Sequence, residues 1–260
     1  MNILNTIAER AKLRVARDKE KISAAEMERQ ALSLPRGNFP FEVALKKPQL
    51  SFICECKKAS PSKGLIAENF PHVDIAKAYE SAGADAISVL TEPEFFLGAD
   101  KFLSDIAAQV SLPCLRKDFV VDAYQIFQAK TLGASAVLLI CAILDDLQLK
   151  NFLATCDNLG LSALVEAHDA QEIRRALNCG ARIIGVNNRN LKDFSVDTDN
   201  AKRLRELVPR EKIFVSESGV RSAEDVKKIR AGGADAVLIG EVLMRAVDKK
   251  AKLDELRGDS

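Results

Sequence analysis

The 260-residue sequence is poor in several residue types from which common sites are built. It has no Trp and only two His, His72 and His168, so a histidine-based triad or a multi-histidine metal site is hard to assemble. Its six Cys include no CxxC pair and have no His nearby at ligand spacing, which argues against a zinc site or a disulfide framework. Any chemistry is therefore expected to come mainly from Lys, Glu, Asn, Ser and Arg.

The charge balance and the hydrophobic runs exclude further classes of protein. Lys+Arg 38 against Asp+Glu 37 leaves a formal net charge of +1, which offers no global attraction for nucleic acid. The longest apolar run, residues 136–144, is too short to span a bilayer, and the first ten residues lack a signal-peptide core. We therefore predict a cytoplasmic α/β protein with no nucleic-acid or membrane partner.

Short apolar runs alternate with longer amphipathic segments from residue 50 onward, as in βα units. The eight runs are 50–56, 86–90, 114–116, 136–140, 161–165, 182–186, 213–215 and 236–239. Near-continuous apolar runs are typical of parallel strands buried on both faces. A doubly wound sheet would more often have five or six strands and a glycine-rich first turn. We predict an α/β fold, a (β/α)8 TIM barrel over residues 50–255, preceded by an N-terminal helical extension over 1–49 within one structural domain. The extension is expected to cover the barrel mouth or the opposite end.

A weak repeat accompanies the eight units. A Gly-Ala-x-apolar motif begins at Gly83, Gly133, Gly180 and Gly233, about every 50 residues. Each glycine is suited to end a helix in the left-handed conformation before the next strand begins. Duplication of a pair of βα units and convergent loop chemistry explain the repeat equally well.

Polar residues follow directly after most of the apolar runs. Glu55 and Lys57 lie two apart and therefore on one face, whereas Cys54 and Cys56 face the other way. Corresponding positions after later runs hold Lys117, Glu166, Asn187, Arg189, Glu217 and Ser218. Charge in such apolar strands is costly unless it lines a wet site or is paired. Because the C-terminal ends of barrel strands carry the active site, these residues predict a single lined cavity.

Two late turns have the character of a phosphate site. Gly219 follows strand 7 before a helix start at Ser222, with Asp225 completing a capping-box pattern, and Gly240 follows strand 8. Glycines beside helix N-termini offer backbone N–H groups to an anion, and TIM barrels commonly bind phosphate after strands 7 and 8. Taken alone, these glycines are equally consistent with ordinary turns. The lysine-rich segment 57–64, with its hydroxyls, adds donors from the other side of the mouth.

Taken in order, these motifs resemble the indole-3-glycerol-phosphate synthase family of tryptophan biosynthesis. The matching segments are 55–64 (ECKKASPSKG), 88–98 (SVLTEPEFFLG), 115–119 (LRKDF), 164–166 (LVE), 185–191 (GVNNRNL), 216–220 (SESGV) and 238–241 (LIGE). The resemblance implies a carboxy-lyase that uses no metal or organic cofactor. Its substrate would be 1-(2-carboxyphenylamino)-1-deoxyribulose 5-phosphate, converted to indole-3-glycerol phosphate with loss of carbon dioxide and water.

The resemblance also implies roles for individual residues. Lys117 would be the general acid that protonates the ribulose C2 carbonyl, Lys57 would hold the anthranilate carboxylate, and Glu166 would be the acid/base partner in the later steps. Glu55, Asn187 and Glu217 would support these groups and orient the substrate hydroxyls. The remaining substrate-binding residues would be Arg189 and Ser218 nearby, Ser60, Gly219, Gly240 and Glu241 at the phosphate, and Phe96, Phe119 and Leu191 around the aromatic ring.

Some questions stay open at this point. Cations such as Lys57 would lower the pKa of Lys117 and close carboxylates would oppose that shift, so the sequence does not decide the balance. We interpret His168 as a capping or packing residue at a helix start and His72 as an exposed loop residue.

The sequence leaves two alternative functions. One is another phosphate-binding barrel enzyme, such as a phosphoribosyl isomerase or a Schiff-base aldolase, and the other is a non-catalytic anion-binding scaffold. We expect a monomer that binds a small phosphorylated substrate.

Overall fold

A computed structural model describes residues 3–189, 195–197 and 199–258. Its strands are β1 (Ser51–Cys56), β2 (Ala86–Leu90), β3 (Cys114–Lys117), β4 (Ala136–Ile140), β5 (Ser162–Ala167), β6 (Ile183–Asn187), β7 (Ile213–Glu217) and β8 (Ala236–Ile239). Each strand pairs in parallel with its neighbour along the chain, and β1 pairs with β8 to close the barrel. The predicted (β/α)8 TIM barrel is confirmed.

The polar residues that follow the apolar runs are still part of the hydrogen-bonded strands. Lys117 pairs with Leu90 of β2, and Glu217 pairs with both Asn187 of β6 and Leu238 of β8. The backbone ladder therefore continues past the apolar runs, because its hydrogen bonds do not depend on the side chains. The charged groups are therefore held on strands that are hydrogen-bonded to a neighbour on each side.

Alternation along the strands creates two cores. Ile53, Leu115 and Leu164 point into the barrel, whereas Cys54 and Cys56 point outward against the helices. The predicted division of faces in the first strand is therefore confirmed. Glu55 shares the inner face with Ile53 two residues before it, so it lies inside the barrel with 3% of its surface exposed.

Helices return the chain between strands. They are α4 (His72–Ser81), α5 (Asp100–Ala107), α6 (Ala123–Thr131), α7 (Asp146–Leu159), α8 (Ala170–Asn178), α9 (Asp199–Arg205), α10 (Ala223–Ala231), α11 (Glu241–Arg245) and α12 (Lys249–Arg257). As predicted, Gly83, Gly133, Gly180 and Gly233 adopt the left-handed conformation, with φ between 80° and 96°. Each stands three residues before the first residue of β2, β4, β6 or β8.

The N-terminal segment covers both ends of the barrel. It forms α1 (Ile3–Lys21), α2 (Ala24–Ser33) and α3 (Pro40–Leu45). The first turns of α1 pack in the barrel cluster beside Phe119, at the C-terminal end. At the opposite end, Glu42 of α3 accepts hydrogen bonds from Arg182, just before β6, at 2.8 and 3.1 Å. Within the described residues, no helix is long and apolar enough to cross a membrane.

Candidate active site

A cavity of about 960 Å³ opens at the C-terminal ends of the strands. The predicted residues that line it are Glu55, Lys57, Ser60, Phe96, Lys117, Phe119, Glu166, Asn187, Arg189, Ser218, Gly219, Gly240 and Glu241. Glu217 is buried directly beside Lys117, with 1% of its surface exposed. Leu191 lies outside the described residues. The folding of the chain therefore brings together side chains that are up to 186 positions apart, from Glu55 to Glu241.

A charged layer forms the inner part of this cavity. It consists of Glu55, Lys117, Glu166 and Glu217, contributed by the alternate strands β1, β3, β5 and β7, as layers in TIM barrels are. Lys117 Nζ lies 3.5 Å from Glu55 Oε1 and 3.4 Å from Glu217 Oε2. Lys57 Nζ donates to the other oxygen of Glu55 at 2.5 Å. One lysine, with 14% of its side chain exposed, thus stands among three buried carboxylates.

The carboxylates decide the protonation state of Lys117. Burial lowers its pKa, but the charges of Glu217, Glu55 and Glu166 outweigh burial and raise the pKa above that of an ordinary lysine. The balance that the sequence left open is therefore settled in favour of the charged form. Lys117 is a protonated ammonium at neutral pH, as a general acid must be, whereas a Schiff-base nucleophile needs a neutral amine.

The two carboxylates that contact Lys117 are not equivalent. Burial raises the pKa of Glu217 to about 7, since Lys117 only partly offsets burial and Glu166 and Glu55 add repulsion. Burial acts the same way on Glu55, but Lys57 and Lys117 outweigh it, so the pKa of Glu55 is lowered. Among the described residues, neither oxygen of Glu217 has a hydrogen-bond partner. Glu217 is therefore the carboxylate that titrates near neutral pH.

Two glycines make room for these carboxylates. A Cβ on Gly185, in the middle of β6, would collide with Glu217 Oε1. A Cβ on Gly240 would collide with Glu55 Oε2 and lie 2.8 Å from Lys57 Nζ. Gly240 was predicted only as a phosphate turn, and Gly185 was missed. A glycine inside a strand is itself a signal of close approach by another group, so the sequence did carry a sign of it.

The turn after β7 has the geometry of an anion site. Ser218 and Gly219 both have positive φ, 66° and 92°. The predicted capping box at the start of α10 is present, with Ser222 and Asp225 each accepting from the other's backbone N–H. Backbone N–H groups at such a turn and helix start are suited to bind a phosphate.

An asparagine that sequence analysis missed holds this turn. Asn188, 2% exposed, donates through Nδ2 to the Ser218 carbonyl and to Ser216 Oγ, both at 3.1 Å. Its Oδ1 accepts from the Ala201 N–H at 3.0 Å. Asn188 thereby joins the ends of β6 and β7 to α9. Asn187 beside it accepts from the Arg189 N–H at 3.0 Å, which fixes the backbone of Arg189 at the cavity.

The loop after β1 crosses the mouth of the cavity. Ala59–Ser60 and Gly64–Leu65 form a short antiparallel pair that presents Ser60 to the cavity. Lys63 Nζ from the same loop lies 3.6 Å from Glu241 Oε1 at the start of α11. The predicted phosphate residues Ser60 and Glu241 are thus drawn to the same side as Gly240.

Phe96 and Phe119 form an aromatic wall of the cavity, and buried carboxylates hold the loops that carry them. The rings of Phe96 and Phe119 are 6.2 Å apart, and their loops follow β2 and β3. Glu92 accepts from the N–H groups of three residues of the first loop, including Phe96 at 3.0 Å. Asp118 accepts from the Phe119 N–H at 2.8 Å.

Helix α1 is tied to both of these loops by one arginine. Arg14 donates to Asp118 Oδ1 at 2.6 Å, and a second nitrogen lies 3.9 Å from Glu92 Oε1. Apolar residues of α1, Ile3, Leu4 and Ile7, line the cavity next to the aromatic wall. Arg14 and Glu92 were not predicted, because nothing in the local sequence indicates a pairing across such distances along the chain.

The prediction for His72 is wrong, whereas His168 packs at the start of α8, which is one of its two predicted roles. His168 Nε2 lies 3.4 Å from Glu166 Oε1, and the cap of α8 is Asp169 rather than His168. His72 begins α4 instead of lying in an exposed loop, and its ring centroid is 4.6 Å from that of Phe102. Its Nε2 is 2.9 Å from Asp105 Oδ2.

The fold and this site define a TIM-barrel enzyme with a buried lysine–carboxylate layer and an anion-binding turn after β7. The model of the family "Indole-3-glycerol phosphate synthase" matches residues 4–256. A protein of that name from Ruminiclostridium cellulolyticum is 57% identical over 259 residues, covering 99% of this chain and 100% of its own length. One from Lachnoclostridium phytofermentans is 51% identical, with 98% of each chain covered. The chain belongs to the indole-3-glycerol phosphate synthase family.

Solved structures of lower identity support the fold alone. The 3-hexulose-6-phosphate synthase of Salmonella typhimurium is 13% identical and superposes with a TM-score of 0.66 over 80% of this chain and 96% of its own. The thiamine phosphate pyrophosphorylase of Pyrococcus furiosus gives 0.61 at 16% identity, over 80% and 94%.

Proposed function

We propose that the chain is the carboxy-lyase of this family and converts 1-(2-carboxyphenylamino)-1-deoxyribulose 5-phosphate to indole-3-glycerol phosphate in L-tryptophan biosynthesis. One observation carries the proposal: Lys117 lies among three carboxylates in a cavity that also contains an aromatic wall and an anion-binding turn. These are the three recognition elements that an anthranilate ring, a ribulose carbonyl and a phosphate require.

In the ring closure, the aromatic carbon that bears the carboxylate forms a bond to ribulose C2. The carbonyl π bond breaks, and its oxygen takes a proton from Lys117. Catalysis requires that this charge be stabilised as it develops. The ammonium of Lys117 lies at the base of the cavity, and the carboxylates of Glu55 and Glu217 within 3.5 Å keep it charged until the oxygen needs the proton.

Lys57 is proposed to hold the anthranilate carboxylate. It lines the cavity, and its ion pair with Glu55 places its Nζ on the far side of that carboxylate from Lys117. The bond to the carboxylate carbon then breaks, its electron pair restores the aromatic ring, and carbon dioxide leaves. Because the product is neutral, the site must favour the ring-closed state over the bound substrate for this step to be fast.

Dehydration completes the indole. Glu166 removes a proton from the former C1 of the ribulose, a double bond forms, and the C2 hydroxyl leaves as water after accepting a proton, for which Lys57 is a candidate donor. Glu166 is 3% exposed and faces the cavity from β5. Asn187, Arg189 and Ser218 are proposed to orient the substrate hydroxyls. Ser60, Gly219, Gly240 and the backbone of Glu241 are proposed to bind the phosphate.

The partner and location proposals follow from this reaction. The substrate is a small phosphorylated anion, and no nucleic acid or membrane enters the chemistry. A biosynthetic role supports a cytoplasmic location. We propose a monomeric active form, because every residue assigned a role here, Leu191 aside, lies on the described part of one chain. Sedimentation of the purified protein tests the monomer.

The experiment that tests the function follows indole fluorescence as purified protein acts on the carboxyphenylamino-deoxyribulose phosphate. Lys117→Ala should abolish turnover and leave folding intact, because the residue is at a strand end rather than in an apolar packing layer. Lys101→Ala is the matched control, since Lys101 is on the outer helix α5 and pairs with Asp105.

Each outcome has a definite reading. Turnover by wild type and the control, but not by Lys117→Ala, would support both the reaction and the general acid. Near-wild-type activity in Lys117→Ala would refute that role. A folded wild type that leaves the substrate intact would favour an isomerase or an anion-binding scaffold, and borohydride trapping with a keto substrate would reveal an aldolase.

A further inference from the structure

Among the described residues, His168 is a titratable side chain without an assigned role that contacts the charged layer. His168 follows directly after the last residue of β5, Ala167, two positions beyond Glu166. Its Nε2 lies 3.4 Å from Glu166 Oε1, and its Nδ1 lies 3.2 Å from Glu172 Oε2 on α8. The imidazole thus bridges two carboxylates, of which one belongs to the proposed acid/base partner.

The ring is fixed from the side away from the cavity. The His168 N–H also donates to Glu172 Oε2 at 2.8 Å, so Glu172 holds both the backbone and the ring. The His168 carbonyl accepts from Asn200 Nδ2 of α9 at 3.3 Å. In contrast, Nε2 is buried and has no hydrogen-bond partner within the described residues, although Glu166 is within ion-pair distance.

We propose that His168 is a positioning residue for Glu166: the imidazole, fixed by Glu172, holds Glu166 Oε1 and so leaves Oε2 to reach the substrate proton. This inference rests on the proposed function, in which Glu166 removes a proton in the dehydration. A reaction becomes slower when the reactive oxygen of its general base is misplaced by about 1 Å. A residue that holds the Glu166 carboxylate in position therefore increases the rate.

The charge of His168 supports this arrangement. Burial lowers its pKa, but the hydrogen bond to Glu172 and the charges of Glu166, Glu172 and Glu217 outweigh burial and raise the pKa to about 9. These carboxylates face the ring from β5, α8 and β7. At neutral pH the ring is therefore a cation with a donor at each nitrogen, and it attracts Glu166 in its ionised form.

The first test uses nuclear magnetic resonance and needs no activity. The chain has only two histidines, so imidazole signals are assigned by comparison with His72→Gln. We expect His168 to titrate near pH 9 in the wild type and at clearly lower pH in Glu166→Gln. Glu217→Gln should shift the midpoint less, because no Glu217 oxygen is in the ion-pair contact with the ring that Glu166 makes. A midpoint unchanged by Glu166→Gln would overturn the pairing.

The second test measures kcat and KM across pH. His168→Ala should lower kcat about 10-fold, with a much smaller change in KM, because a misplaced base slows the chemistry more than binding. His168→Gln should recover part of kcat, since its amide offers a donor to Glu166. The wild-type kcat should fall as pH rises through about 9, and that fall should be absent in His168→Gln.

His72→Gln is the matched control, because His72 also pairs with a carboxylate but is not among the residues that line the cavity. It should keep the wild-type kcat, KM and pH profile. Wild-type kcat in both His168 variants would refute the positioning role while leaving the proposed reaction intact. A wild type without turnover would refute the reaction, and the titration of His168 would still decide the pairing with Glu166.

Discussion

Glu217→Gln should make the protein more stable and less active. Glu217 is buried among Lys117, Glu166 and Glu55, and its pKa is raised to about 7 from an ordinary value of 4.5. Folding therefore favours its protonated form. As pH rises through the window from 4.5 to about 7, the folded state must give up a proton that the unfolded state has already lost, and stability falls. Glutamine has nearly the shape of the protonated acid and cannot ionise.

The size of the effect follows from the pKa. One pKa unit corresponds to about 1.4 kcal/mol, so the rise to about 7 makes ionised Glu217 cost roughly 3 kcal/mol of folding free energy above that pH. We expect Glu217→Gln to raise the free energy of unfolding by up to about 3 kcal/mol at pH 8 and by little at pH 4.5. This corresponds to roughly 6 to 12 °C in Tm for a domain near this size. Activity should fall, because Lys117 loses a carboxylate that keeps it charged.

The assay is equilibrium urea unfolding between pH 4.5 and 8.5. Glu55→Gln is the matched control on the same lysine, because the pKa of Glu55 is lowered rather than raised. Its contribution is present above its unfolded pKa and is lost as pH falls, so this variant should be less stable than wild type at pH 8. If Glu217→Gln is no more stable than wild type at pH 8, or if both variants change stability with the same sign, the account of the charged layer is wrong.

Two other substitutions test separate parts of the site. Lys57→Ala should both raise KM and lower kcat, because it removes a cation from the proposed carboxylate pocket; steady-state kinetics with both parameters unchanged would remove that role. Gly185→Ala should lower kcat with a smaller effect on KM, because the added Cβ displaces the Glu217 carboxylate from its place beside Lys117. Overpacking of this kind costs typically 1 to 3 kcal/mol of stability, measurable by thermal unfolding, and a variant with wild-type kcat and Tm would show that Glu217 moves freely.

The architecture was accessible from the sequence because its signals are local. A strand buried on both faces must be an apolar run, so the eight runs marked the strands to within two residues at each end. The inner position of Glu55 followed from simple alternation. The left-handed glycines before β2, β4, β6 and β8 were likewise readable, since αL favours glycine.

The parts that escaped prediction depend on distances between strands. Gly185 itself signals that some group approaches the strand closely, but the sequence does not show that this group is Glu217 of β7. The sign of the pKa shift of Lys117 depends on which charges stand nearest, and sequence supplies candidates without separations. His168 was interpreted as a capping or packing residue, because a histidine before a helix usually has a local role. Its contact with Glu166 is also local along the chain, but the closure of the barrel and Glu172 determine which way the ring points.

The attachment of α1 has a consequence for the order in which the protein is made. Arg14 and its partner Asp118 are 104 positions apart, so at typical synthesis rates roughly 5 to 20 s separate their appearance at the ribosome. During that interval the apolar side of α1, with Leu4 and Ile7, has no β3 loop to pack against. Helix α1 can therefore reach its final place only after the loop that follows β3 has been made, and one wall of the cavity is absent until then.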